Sequence, residues 1–213
     1  MEFNMRKGTV LSLKNFRFAE FIAKNNILVI LVLLFIAGII FGIFSEQKIS
    51  FISDYASSYL DGFINERTGA SFFSVMLESF MSSCAVLLVI FASGTSMLGV
   101  LLVPFAAVLR AVLYGAVSAV LYSQYSVKGI AFNAVLIVPS ALIFIFSLLL
   151  AARESVKFSA IILKISFPGT QAVNLSFDFK NYCGRYLFIL LIALLSAIID
   201  AVLSCSFIAG LNI

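Results

Sequence analysis

Ile27–Phe44 reads ILVILVLLFIAGIIFGIF, 18 consecutive residues without a charge or a hydrogen-bonding side chain. A hydrocarbon core roughly 30 Å thick is crossed by about 20 apolar residues of helix. Four further apolar stretches of comparable length begin near Phe72, Met97, Ile130 and Tyr186. Lipid offers no partner to a bare amide, so only helices or closed barrels can cross it. The stretches are continuous rather than alternating, which selects helices over barrel strands. The expected fold is therefore all-α, a polytopic transmembrane bundle of about five spans.

The composition agrees, with 62% hydrophobic residues, 11% charged residues and a mean hydropathy of +1.14. Soluble domains carry roughly 25% charge. Residues 27–213 read as one transmembrane domain, because no loop is long enough to hold a separate soluble one. Residues 1–26 form a basic cytoplasmic or interfacial segment in which Phe16, Phe18, Phe21 and Ile22 are set among the charges. The first apolar run is longer than the core of a cleavable signal and no A-x-A-like site follows, so it reads as a retained anchor.

The 14 Lys and Arg residues are distributed unevenly. Arg6, Lys7, Lys14, Arg17 and Lys24 precede the first span, and Arg153, Lys157, Lys164, Lys180 and Arg185 lie between the fourth and fifth. Lys48, Arg67 and Lys128 belong to the other side, and Arg110 lies within a span. Cytoplasmic loops concentrate Lys and Arg, which places the N-terminus inside and the C-terminus outside. Cys84, Cys183 and Cys205 form no paired framework and read as small thiols.

Between the first two spans, Ile49, Ile52, Ala56, Tyr59, Leu60 and Phe63 recur at helical spacing, with Ser50, Asp54, Ser57 and Asp61 opposite them. An outside amphipathic helix with an acidic face is expected near 49–64. It could rest on the membrane surface, pack over the bundle or receive a partner.

Helix packing and helix breaking are also legible. Ala107, Ala111, Gly115 and Ala119 repeat every four residues, and Gly38 and Gly42 do the same in the first span. Small residues at that interval let helices approach closely. Pro104 and Pro139 interrupt the third and fourth spans and are the expected kinks. The fourth span is expected to end at Ala152, with Pro168-Gly169 turning an exposed connection before Arg185 opens the last one.

No histidine occurs, which removes Ser-His-Asp chemistry and His-ligated metal centres. Neither a Walker A loop nor a dinucleotide glycine fingerprint is present. The sequence therefore predicts no enzyme, no catalytic residue, no cofactor, no metal and no nucleic-acid partner. Glu78, Arg110 and Asp200 are the charged residues at membrane depth. An isolated charge there is costly, so intramembrane ions pair or face a wet cavity. Arg110 is expected to pair with Asp200 or, failing that, Glu78. Asn133, Ser140, Ser196 and Ser204 can bond between helices.

In order and spacing, several short tracts resemble the stage II sporulation protein M family of five-span membrane proteins. They are Phe35-Ile36-Ala37-Gly38-Ile39-Ile40-Phe41-Gly42, then Gly94 and Gly99, then Leu109-Arg110-Ala111-Val112-Leu113-Tyr114-Gly115. Val127-Lys128-Gly129 and Val138-Pro139-Ser140 complete the set. The resemblance implies a scaffold of the bacterial cell membrane that holds two peptidoglycan-degrading partners, stage II sporulation proteins D and P, during forespore engulfment. Self-association is left open. Relatives often carry Pro-His-Gly where this chain has Pro139-Ser140-Ala141. The interrupted third and fourth spans also suit an alternative, a small permease or a transporter's membrane subunit.

Overall fold

The structure is a computed structural model, and it describes residues 25–46, 48–67, 69–166 and 175–211. The basic segment before Asn25 and the Pro168-Gly169 turn lie outside the described residues. Among the described residues six α-helices follow one another: α1 (Asn26–Glu46), α2 (Ser50–Arg67), α3 (Phe72–Gly94), α4 (Gly99–Phe132), α5 (Val138–Ile165) and α6 (Leu175–Leu211), with a π-helical turn at Asn133–Ile137 joining α4 to α5. No strand occurs among the described residues.

Among the described residues four helical stretches are long and apolar enough to cross a membrane: Asn26–Glu46, Phe72–Gly94, Gly99–Ile165 and Leu175–Ser206. The third, 67 residues long, is folded back on itself. Its backbone leaves helical angles at Ser126, with φ 47° and ψ −123°. An L-residue rarely adopts that region. Beyond the break, a side chain on Gly129 would collide with the carbonyl of Leu121. Asn133 Nδ2 donates to Tyr122 Oη at 2.6 Å and to Ser118 Oγ at 3.3 Å. These contacts make Gly99–Tyr125 and Val127–Ile165 two antiparallel limbs of a hairpin.

The small-residue stripes of α1 and α4 lie against each other. A methyl group on Gly38 would come within 2.8 Å of Ala111 Cβ. One on Gly42 would strike the carbonyl of Val112, and one on Gly115 would strike that of Ile39. Ala107 and Ala111 are buried, whereas Ala119 is half-buried beyond the crossing. Dispersion between backbones at such close range is what holds helices together where lipid removes the hydrophobic drive.

The outward surfaces of α1, α3 and α6 are apolar, with Leu33, Phe41, Phe73, Met81, Leu187 and Phe188 all exposed. On α3 the exposed Phe73, Leu77 and Met81 fall at intervals of four, one stripe of the helix. An apolar belt of that extent suits lipid rather than water. The chain is accordingly a membrane-embedded helical protein.

Several expectations are corrected. The helix runs through Pro104 without leaving helical angles, and the break at Ser126 falls in the expected connection between the third and fourth spans. Pro104 lies in the second turn, where the lost bond would have gone to Val100, so only one ladder bond is missing. Pro139 sits directly after the π-helical turn, where the wider ladder accommodates its ring. The residues after Ala152 continue α5 to Ile165, because Ser155, Phe158 and Ser159 are buried against neighbouring helices. The last helix opens at Leu175, ten residues before Arg185.

Candidate functional site

The amphipathic segment after α1 forms α2, which lays Ala56 and Leu60 on the far end of α4 and the π-helical turn, beside Val120, Leu121, Phe132 and Leu136. Phe63 meets Phe132 edge-on, with ring centroids 6.5 Å apart. The opposite face, with Phe51, Asp54, Tyr55, Ser58 and Asp61, is exposed. Ile49 and Tyr59, which the periodicity assigned to the apolar side, are exposed as well.

Beneath α2 lies a cavity of about 380 Å³. α3 lines it with Glu78, Ser79, Ser82 and Ser83, a polar stripe turned away from the lipid-facing Phe73, Leu77 and Met81. α4 contributes Arg110, Leu113, Tyr114 and Val117, spaced to share one helix face. α5 adds Ser140 and Phe144, α6 adds Ser196 and Asp200, and α2 covers them with Tyr59, Phe63, Glu66 and Arg67. All three residues singled out at membrane depth, Glu78, Arg110 and Asp200, thus border one space.

Their pairing differs from the expected one. Asp200 bonds to Arg67, whose Nη2 lies 2.6 Å from Oδ2, and both side chains are less than a tenth exposed. The same nitrogen donates to Ser79 Oγ at 2.9 Å, and the Ser79 hydroxyl donates to Asp200. The Arg67 guanidinium carbon lies 3.5 Å from the centroid of the Phe63 ring. Arg67 is the last residue of α2, and the turn at Gly69 (φ 77°) returns the chain into α3 beside Ser79. This geometry carries a residue assigned to an outside loop down onto a buried carboxylate.

Arg110 has no carboxylate partner among the described residues. Its guanidinium carbon is 5.3 Å from the Tyr114 ring centroid and 5.8 Å from that of Phe144. Its Nε is buried and makes no hydrogen bond. Cation–π attraction offsets part of the desolvation. Glu78 lies beside Glu66, and neither forms an ion pair with a described Lys or Arg.

The hydroxyls at this level follow the helix register. Ser196 Oγ donates to the Ser140 carbonyl at 2.7 Å, an α6-to-α5 bond. Ser140 Oγ donates to Ile137 O at 3.2 Å, inside the π-helical turn, and approaches Asp200 Oδ1 at 3.5 Å. Ser204 is buried without a hydrogen-bond partner among the described residues.

A second cluster, absent from the sequence reading, closes the other end of the bundle. Glu154, expected to open a loop, is buried on α5 and pairs with Arg185, with Arg153 at 3.3 Å and with Lys157 at 3.7 Å. Next to it the Tyr182 ring is stacked between Phe91 and Phe158, at centroid distances of 4.9 and 4.7 Å. Tyr182 Oη donates to Phe91 O at 3.1 Å, and Tyr186 Oη to Leu87 O at 3.0 Å. A usable signal was the run Arg153-Glu154-Ser155 continuing the helical period of the fourth span. Among the described residues no group of three His, Cys, Asp or Glu could hold a metal ion.

With this arrangement in view, one family accounts for the chain. The family model of stage II sporulation protein M matches residues 31–205. The chain belongs to that family. The matched span takes in every helix that lines the cavity and both limbs of the hairpin. No curated protein and no solved structure matches the chain. Family membership connects it to sporulation as a membrane protein.

Proposed function

We propose that this member of the stage II sporulation protein M family is a non-enzymatic, multi-pass scaffold of the bacterial cell membrane that positions peptidoglycan hydrolases during engulfment. In this reading the N-terminus is inside, the C-terminus is outside and α2 lies on the outer surface. The observation that carries it is α2 itself. One face is anchored on the bundle through Ala56 and Leu60, while the other presents Phe51, Asp54, Tyr55 and Asp61. Exposed aromatic residues among carboxylates on a rigidly held helix suit a protein partner. The resemblance supplies the partners' chemistry, wall hydrolases of the stage II sporulation D and P type.

Affinity capture of the full-length protein from sporulating cells is expected to recover wall hydrolases, and capture of a Phe51→Ala, Tyr55→Ala double variant to lose them. Recovery of none, together with normal engulfment in a deletion strain, rejects the scaffold. Reporter fusions at the two termini are expected on opposite faces of the membrane.

The polar cavity favours one second reading, a small permease. Solute flux through purified protein in liposomes, abolished by Arg110→Gln, would favour transport over scaffolding.

A further inference from the structure

The Arg67–Asp200 pair leaves the cavity with an unbalanced set of charges. On the α4 wall stands Arg110, half-buried, with its Nε unbonded and the hydroxyls of Tyr59 and Tyr114 close by. Toward α2 and α3 stand Glu66 and Glu78, side by side. The space is bipolar, with a lone cation on one wall and two neighbouring carboxylates on another.

A guanidinium held at membrane depth without an anion is an expensive arrangement for structure alone. The Tyr59 and Tyr114 hydroxyls replace part of its lost water, but they are neutral and leave the charge without a counter-ion. A ligand anion provides one, and Arg presents several donors in a planar fork suited to phosphate. At about 380 Å³ the cavity falls within the range of small-molecule sites, roughly 300–1,000 Å³. Its apolar patches, Leu113 and Val117, adjoin the serine hydroxyls of α3. α2 packs chiefly on α4 and meets α3 through the side chains of Arg67 on Ser79 and Glu66 beside Glu78, and Ser82 on the cavity rim is exposed. The opening between α2 and α3 therefore adjoins the lipid-facing stripe of Phe73, Leu77 and Met81.

We propose that this cavity binds an ammonium–phosphate zwitterion, with the phosphate on Arg110 and the ammonium on the Glu66–Glu78 pair. Phosphoethanolamine has that chemistry, either as the headgroup of phosphatidylethanolamine entering between α2 and α3 or as a soluble molecule. The site does not depend on the scaffold reading, because neither α2's exposed face nor any partner enters the argument.

The test is thermal unfolding of the full-length protein in detergent with four probes: phosphatidylethanolamine in mixed micelles, glycerophosphoethanolamine, glycerol 3-phosphate and ethanolamine. Tm is expected to rise by roughly 5–10 °C with a zwitterionic probe at about a hundred-fold excess over its Kd. A rise with phosphatidylethanolamine alone identifies a lipid site, and a rise with both zwitterions shows that the headgroup suffices. Arg110→Gln and Glu78→Gln are each expected to remove the shift. No shift with any probe, an undiminished shift in both variants, or equal shifts with the single-charge probes overturns the proposal. Should a variant fail to fold, native mass spectrometry of the wild-type protein with the same four probes decides. Retention of a zwitterion supports the site, and retention of none or of all four alike sinks it.

Discussion

At one end of the bundle Glu154 meets Arg153, Lys157 and Arg185, and Tyr182 is stacked between two phenylalanines. Fourteen residues away on the same α5, Ser140 borders a cavity in which Arg110 has no carboxylate partner and its Nε no hydrogen bond. Helical rise separates the two levels by roughly 21 Å. The same helices thus build one end where a buried carboxylate has several cations around it and another where a cation has no carboxylate. Matched groups fix helix register and contribute stability. An unmatched cation in a cavity contributes little, so its presence calls for something outside the chain.

Four substitutions sharpen or break this contrast. The largest effect is expected at the one matched pair of the cavity. Asp200→Ala leaves Arg67 buried without its anion and should cost about 3–5 kcal/mol, read as loss of stability in detergent unfolding. Most of that loss should return in the double variant Arg67→Met, Asp200→Leu, where no charge is stranded. If Asp200→Ala alone unfolds like wild type, the pair does not hold α2 to α6.

At the closed end, Tyr182→Phe keeps the stacked rings and removes the hydroxyl that bonds to Phe91 O and Ser155 Oγ. The expected cost is about 1 kcal/mol, measured as a lowered Tm. A larger loss would mean that the hydroxyl, rather than the stack, closes this end.

Ser126→Gly relieves a backbone angle that only glycine adopts freely and should stabilise the hairpin by up to about 1 kcal/mol, seen as a raised unfolding midpoint. A destabilised protein would place the strain elsewhere.

The smallest change is expected at Arg110→Met, within about 0.5 kcal/mol of wild type in probe-free detergent, since the side chain gives up no ion pair. A loss comparable to that of Asp200→Ala would make Arg110 a structural residue and remove the contrast between the two ends.

Much of this architecture can be read along the chain. The uncharged run Ile27–Phe44 fixes a helix, since any other backbone would leave amides unbonded in lipid. The intervals of Gly38–Gly42 and Ala107–Ala111–Gly115 mark surfaces built for close approach, but they do not say that these two surfaces meet. Glu78, Arg110 and Asp200 stand out by their cost, and their depth along each helix can be counted. Arg67 was hidden by the same counting. It follows an exposed amphipathic helix, and only the descent of α2 over the bundle carries it to a partner 133 residues away. The reversal at Ser126 falls in the connection that the sequence placed before the fourth span, whereas Pro104 was absorbed in a second turn and Pro139 follows a π-helical turn.

Local chemistry by itself determined that the chain is helical, that it belongs in lipid, and which residues are too polar to lie there unattended. Those facts depend on each residue's own solvation and on the spacing of its neighbours. Which charge satisfies which, and which is left facing an empty space, was decided only by the tertiary structure. Partnership is a property of distance in three dimensions, and helices far apart in sequence set those distances by how closely their backbones can approach.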